Sequence, residues 1–162
     1  AASYFERVSR QFLTAAAELQ ISESAIYKRI AICIDFSKMD SLTIQSGLSQ
    51  GGKTAEYILL HVVETAGALV YGSEISDMES NKDKQALRDY AQQLLGKGYH
   101  VETEVGYGNP KVTIPKMVTS FNADLLVMGA HGHKFMKDLI LGTTVDSVRH
   151  RVKIPVLIVQ QK

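Results

Sequence analysis

Ile30-Ala31-Ile32-Cys33-Ile34-Asp35 is an unbroken apolar run that closes on a carboxylate. A strand wetted on one face alternates polar and apolar residues, so a run without alternation predicts a strand covered on both faces, as in a parallel sheet. Glu56-Tyr57-Ile58-Leu59-Leu60-His61-Val62-Val63, Asp124-Leu125-Leu126-Val127-Met128-Gly129 and Pro155-Val156-Leu157-Ile158-Val159 read the same way. Tyr99-His100-Val101-Glu102-Thr103-Glu104-Val105 alternates instead, which predicts a half-exposed strand near a sheet edge.

Helical patterns separate these strands. Residues 37–52 carry Leu42, Gln45 and Leu48 at helical spacing and close on Gly51-Gly52. Residues 82–95 present a stripe of Ala86, Leu87, Tyr90, Ala91, Leu94 and Leu95, stopped by Gly96 and Gly98. In Gly106-Tyr107-Gly108-Asn109-Pro110, Asn109 is placed to cap a helix and Pro110 to begin it. That helix should reach Asn122, with Pro115 kinking it or delaying its start. A last helix is expected over 143–152. Five strands and about four helices within 28–162 predict an α/β fold: an open, doubly wound, mostly parallel sheet with helices on both faces. Ligands of such sheets bind at the carboxyl ends of the strands, where the strand order reverses.

Two segments fall outside this alternation. Residues 64–81 have no clear period and read as a long loop with at most a short helix. Residues 1–24 read as an extra N-terminal amphipathic helix, with Phe5, Val8, Phe12, Leu13, Ala16 and Leu19 near one face. It would pack on its own domain or a twin subunit, or serve as a connector from a preceding domain over residues 1–27. The chain opens on Ala rather than Met, which fits either a removed Met or a piece of a longer chain.

Composition narrows the function classes. A chain of 162 residues suits one domain, and 45% hydrophobic with 22% charged residues is ordinary for a globular one. The net charge of +1 offers no clustered basic field, so nucleic acid is not an expected partner. Cys33 alone forms no disulfide within the chain, fits a cytoplasmic setting and reads as a buried structural thiol. No apolar run approaches the ~20 residues that span a bilayer.

The chemistry-bearing motif follows the fourth strand: Gly129-Ala130-His131-Gly132, nine residues, then Gly142-Thr143-Thr144. Glycines there let the backbone turn sharply and approach a ligand closely. A helix beginning after Gly142 would aim free N–H groups and its positive end at an anion, with the Thr143 and Thr144 hydroxyls beside them. Taken alone, the three glycines are read as well by ordinary turns and a helix start.

The pattern Gly-x2-Gly-x9-Gly-Thr, with the strands around it, resembles the ATP-binding branch of the universal stress proteins. Residues 32–35, 58–63, 124–132, 141–145 and 154–159 agree with that family in order and spacing, and the likeness covers 28–162. It implies an adenine nucleotide alpha hydrolase-like sheet and an adenine nucleotide, ATP first, with Mg²⁺ or Mn²⁺ bridging its phosphates. By the same likeness Asp35 would meet the ribose or the adenine edge, and Val62 would hold adenine through its backbone. Met128 and Gly129 would floor the site, and Gly132, Gly142, Thr143 and Thr144 would hold the phosphates. Ile34, Gly108 and His131 are additional candidates. Ala130 stands where many members carry a hydroxyl. Similar proteins pair through the last strand, so 155–159 is expected to join a homodimer. Universal stress domains also occur fused to ion transporters, which makes a cytosolic transporter appendage the alternative reading.

Other signals lead elsewhere. Gly47-Leu48-Ser49-Gln50-Gly51-Gly52-Lys53-Thr54 satisfies the phosphate-loop pattern, and an ATPase built on Lys53 would use it. That mechanism needs a strand before and a helix after, whereas this stretch has the reverse. His131 and His133 flank Gly132, but two ligands without a third make no zinc site. His61 reads as a hydrogen-bonded core or rim residue. Arg149, His150, Arg151 and Lys153 read as a solvated face. No nucleophile–base–orienter set is legible, so at most slow ATP hydrolysis is expected.

Overall fold

The computed structural model describes residues 19–21, 26–64, 73–130 and 142–161. Its strands are β1 (Arg29–Cys33), β2 (Glu56–Val63), β3 (His100–Tyr107), β4 (Leu125–Gly129) and β5 (Val156–Val159). Between them lie α1 (Asp40–Gly51), α2 (Ser73–Leu95), α3 (Pro110–Ser120) and α4 (Thr143–Arg151). The sheet order is β3-β2-β1-β4-β5 and every pairing is parallel. β1 is thus followed in sequence by a neighbour on one side and bordered by β4 on the other. The crevice between their carboxyl ends is the switch point of the sheet.

The unbroken runs bury both faces, as their patterning requires. Ile30 and Ile32 of β1 pack with Ile44 of α1 and with Leu87, Ala91 and Leu94 of α2. Ala31 points the other way, into a second core of Ile58, Leu60, Ile114, Met117, Val118 and Val148 beneath α3 and α4. Each fully buried aliphatic side chain contributes roughly 1.5–3 kcal/mol. Register at the amino end is fixed by Asp124, whose carboxylate accepts the main-chain N–H of Lys28 at 2.8 Å and of Arg29 at 2.9 Å.

Two helices differ from the sequence reading in instructive ways. The loop expected over 64–81 ends early, because α2 begins at Ser73. Once the amphipathic stripe of 82–95 is nucleated by packing, adding turns at its N-terminal side costs little. Buried Ser80 then anchors the extension through a hydrogen bond to the Tyr107 hydroxyl at the end of β3. Pro115 sits inside α3 without ending it. Its missing N–H frees the Lys111 carbonyl one turn earlier, and Arg151 of α4 donates to that oxygen at 3.3 Å. Asn109 caps α3 as expected, accepting the Lys111 N–H at 3.1 Å. Residues 19–21 are not helical, and the remainder of the expected N-terminal helix lies outside the described residues.

Candidate functional site

A cleft of about 560 Å³ opens at the carboxyl end of the sheet. Its floor comes from the last residues of β1, β2 and β4, where chain leaves the ladder and backbone groups become available. Cys33, Ile34 and Asp35 enter it from β1, Val62 and Val63 from β2, and Met128 and Gly129 from β4. Gly142, Thr143, Thr144 and Val145 form the opposite wall.

That wall is the N-terminus of α4. Gly142 is its cap residue and provides no side-chain hydrogen bond, and Asp146 is the residue whose N–H returns to the Gly142 carbonyl, at 3.0 Å. The first-turn N–H groups of Thr143, Thr144 and Val145 therefore have no intrahelical acceptor, and they sit at the positive end of the helix dipole. Among the described residues a Cβ on Gly142 would meet the Ala130 carbonyl at 3.9 Å, an ordinary van der Waals distance. Gly129 is tighter: a Cβ would fall 3.2 Å from the Thr43 hydroxyl. Its smallness lets α1 lie close against the end of β4.

The β1–α1 turn is tied down by short polar contacts. Asp35 Oδ1 accepts the Ser37 N–H at 3.0 Å, and Ser37 Oγ accepts the Met39 N–H at 3.2 Å. Phe36 between them has φ 58°, a left-handed conformation that few non-glycine residues adopt. Asp40 opens α1 with its carboxyl turned inward. Burial, with a smaller contribution from Asp35 alongside, pushes that carboxyl up to about 6. Burial also pushes the Cys33 thiol up to about 12, with Asp35 adding to it. Cys33 is therefore a thiol rather than a thiolate at neutral pH, although it is partly exposed on the cleft rather than sealed in the core. Across the floor, His61 Nδ1 lies 2.7 Å from the Ile34 carbonyl, which only accepts, so this nitrogen carries hydrogen. His61 Nε2 lies 3.3 Å from Asp83 Oδ2 of α2, joining β2 to the helix over it.

Asp35, Ile34, Val62, Met128, Gly129, Gly142, Thr143 and Thr144 thus converge on one cleft. Gly108 does not line it. With φ 119° it turns the chain after β3, and its N–H donates to the Val63 carbonyl at 3.0 Å, setting Pro110 and Ile114 at the rim. His131, Gly132 and His133 lie outside the described residues. Sequence reading missed Asp40, Thr43, Asp83 and Tyr90. The only hint was a second carboxyl five residues after Asp35, at the start of a helix.

The phosphate-loop pattern is placed where it cannot act as one. Gly47 and Gly51 lie within α1, and Gly52 is its C-cap, its N–H donating to the Leu48 carbonyl. The stretch therefore sits at the negative end of a helix, opposite the cleft. Its glycines serve packing: a Cβ on Gly51 would fall 2.5 Å from Ala55 Cβ and 2.7 Å from Ile30 Cδ1. Lys53 Nζ lies 5.7 Å above the Tyr99 ring. Among the described residues no helix is long and apolar enough to cross a membrane.

Known proteins share this fold. The chain is 24% identical over 159 residues to universal stress protein MJ0577 of Methanocaldococcus jannaschii, an alignment covering 86% of this chain and 98% of that one. It is 28% identical over 144 residues to universal stress protein A homolog 2 of Coxiella burnetii, covering 84% and 97%. The solved structure of MJ0577 superposes with a TM-score of 0.76 at 25% identity over 85% of this chain and 99% of that one. A universal stress protein solved in complex with cAMP superposes with a TM-score of 0.60 at 22% identity, covering 84% and 98%. A model of the universal stress protein family matches residues 26–160, and with the five-stranded parallel sheet this makes the chain a member of that family.

Proposed function

We propose that the cleft binds an adenine nucleotide, ATP first, and that the protein is a nucleotide-responsive module rather than a turnover enzyme. The observation that carries this reading is the convergence of Asp35, Val62, Met128 and Gly129 with the uncapped start of α4 in one cleft. Its volume lies within the ~300–1,000 Å³ typical of small-ligand sites. Asp35 suits a sugar hydroxyl or the adenine edge, the strand ends suit the base, and the α4 amides with Thr143 and Thr144 suit phosphate. The related protein that holds cAMP lends support for this ligand class.

Among the described residues no group of three or more His, Cys, Asp or Glu side chains could hold a metal ion. The described side chains therefore supply no metal-binding set of their own, and a cation accompanying the nucleotide would be held through phosphate oxygens. The α4 amides would bind and orient the phosphates. The described groups that suit phosphate are main-chain amides and hydroxyls, which bind it without activating a water, so hydrolysis is expected to be slow at most. β5 is an edge strand with Val156, Leu157 and Ile158 partly exposed, which suits pairing with a second copy across a two-fold axis.

Two measurements test the reading. Protein purified without added nucleotide and then denatured is expected to release an adenine nucleotide, identified by mass. Calorimetry on stripped protein is expected to show one ATP site per chain; no heat and no competition by any adenine nucleotide would sink the proposal.

A further inference from the structure

Asp40 is a buried carboxyl that the nucleotide reading leaves unused. The residue is only 3% exposed, yet it forms part of the cleft wall. Its Oδ1 accepts the main-chain N–H of Asp35 at 3.2 Å, and its Oδ2 accepts the Tyr90 hydroxyl at 3.1 Å. No cation is paired with it in these contacts; its charged neighbour is a second carboxyl, that of Asp35. Asp40 therefore grips the residue assigned to the ligand and brings like charge beside it. The left-handed Phe36 next in the chain persists only where its surroundings hold it, and the Phe36 ring stacks on Tyr90 at 6.2 Å.

We propose that Asp40 is a positioning residue of the nucleotide cleft: it holds the Asp35 turn in place, and its charge weakens the hold on an anionic nucleotide until a proton removes that charge. The inference rests on the nucleotide reading above. Two carboxylates sharing a buried site resist simultaneous ionisation, and the second lies against the cleft that would take the phosphates. Burial places the Asp40 titration at about 6. Below that pH the group is neutral; above it, its negative charge stands beside the ligand. The titratable groups facing Asp40 are Asp35 from its own turn and Tyr90 from α2. Cys33, Glu64 and the His61–Asp83 pair line the same cleft.

ATP affinity is measured by calorimetry from pH 5 to 8, without divalent cations, for wild type, Asp40→Asn and Asp40→Ala. Asp40→Asn mimics the protonated side chain. It is expected to match wild type within two-fold at pH 5 and to bind about 3–10-fold tighter at pH 8, the size of one partly screened charge near the ligand. Proton uptake by ATP and by the other cleft groups is common to both proteins, so the ratio isolates Asp40. Asp40→Ala, which cannot hold Asp35, is expected to bind more weakly than Asp40→Asn at every pH. ATP binding with a ratio that stays flat across the range overturns this inference alone, as does equal affinity of the Ala and Asn variants. Absence of ATP binding in all three proteins overturns the nucleotide reading and this inference with it. In the free wild-type protein the Asp35 amide resonance is expected to shift with a midpoint near 6. An amide that does not move between pH 5 and 8 overturns the proposal whether or not the variants fold.

Discussion

Two glycine-rich stretches lie at opposite ends of the same sheet. Gly47 to Thr54 reads as the more familiar phosphate loop, and Gly129 with Gly142-Thr143-Thr144 as the vaguer one. In three dimensions the direction of the adjoining helix separates them. The first closes a helix, at its negative end, and its glycines admit Ile30, Ile32 and Ala55 against α1. The second opens a helix, at its positive end, on a cleft floored by three strand ends. Glycine spacing alone does not make an anion site; the direction of the adjoining helix decides it.

The largest test of this contrast sets Gly142→Leu against Lys53→Ala. A side chain at 142 has room beside the described residues but would cover the α4 amides, so ATP affinity is expected to fall more than about 100-fold with the fold retained. Lys53→Ala should leave affinity within about two-fold, both read by calorimetry. If the outcomes were exchanged, the assignment of the two ends would be wrong.

Next in size is Gly51→Ala, whose Cβ has no space between Ala55, Ile30 and the Tyr57 hydroxyl. Overpacking there should cost about 2 kcal/mol in denaturant unfolding while leaving ATP affinity unchanged. Asp40→Asn acts at the other end of the same helix and with opposite sign. Its folded carboxyl, at about 6, lies above the ordinary carboxylate value of about 4, so the stability it confers is complete below that value and is lost as pH rises through 6. The Asn variant should therefore be more stable than wild type at pH 7, by of order 2 kcal/mol, and show a flatter slope between pH 4 and 6. The smallest effect is expected for Asn109→Ala, which removes the α3 cap at about 1 kcal/mol, measured as a lowered unfolding midpoint.

Much of this was legible in one dimension because apolar runs without alternation report burial on both faces. That pattern located β1, β2, β4 and β5 and the parallel sheet, and Asn109-Pro110 announced α3. Strand ends that lie together were readable too, since the carboxyl ends of a doubly wound sheet converge by topology. Residues 73–81 were not legible as helix. Their sequence has no stripe, and their helix is held by continuation of α2 and by Ser80 meeting Tyr107, a partner 27 residues away.

Periodicity and chain direction were enough to read the strands, their parallel order of connection and the sheet end at which a ligand of such a fold is expected. That Asp40 faces inward, that Tyr90 and Asp35 share it, and that Gly47 and Gly51 are packing residues emerged with the folded chain. Each of these depends on contacts between elements distant in sequence, where neither spacing nor composition carries the information.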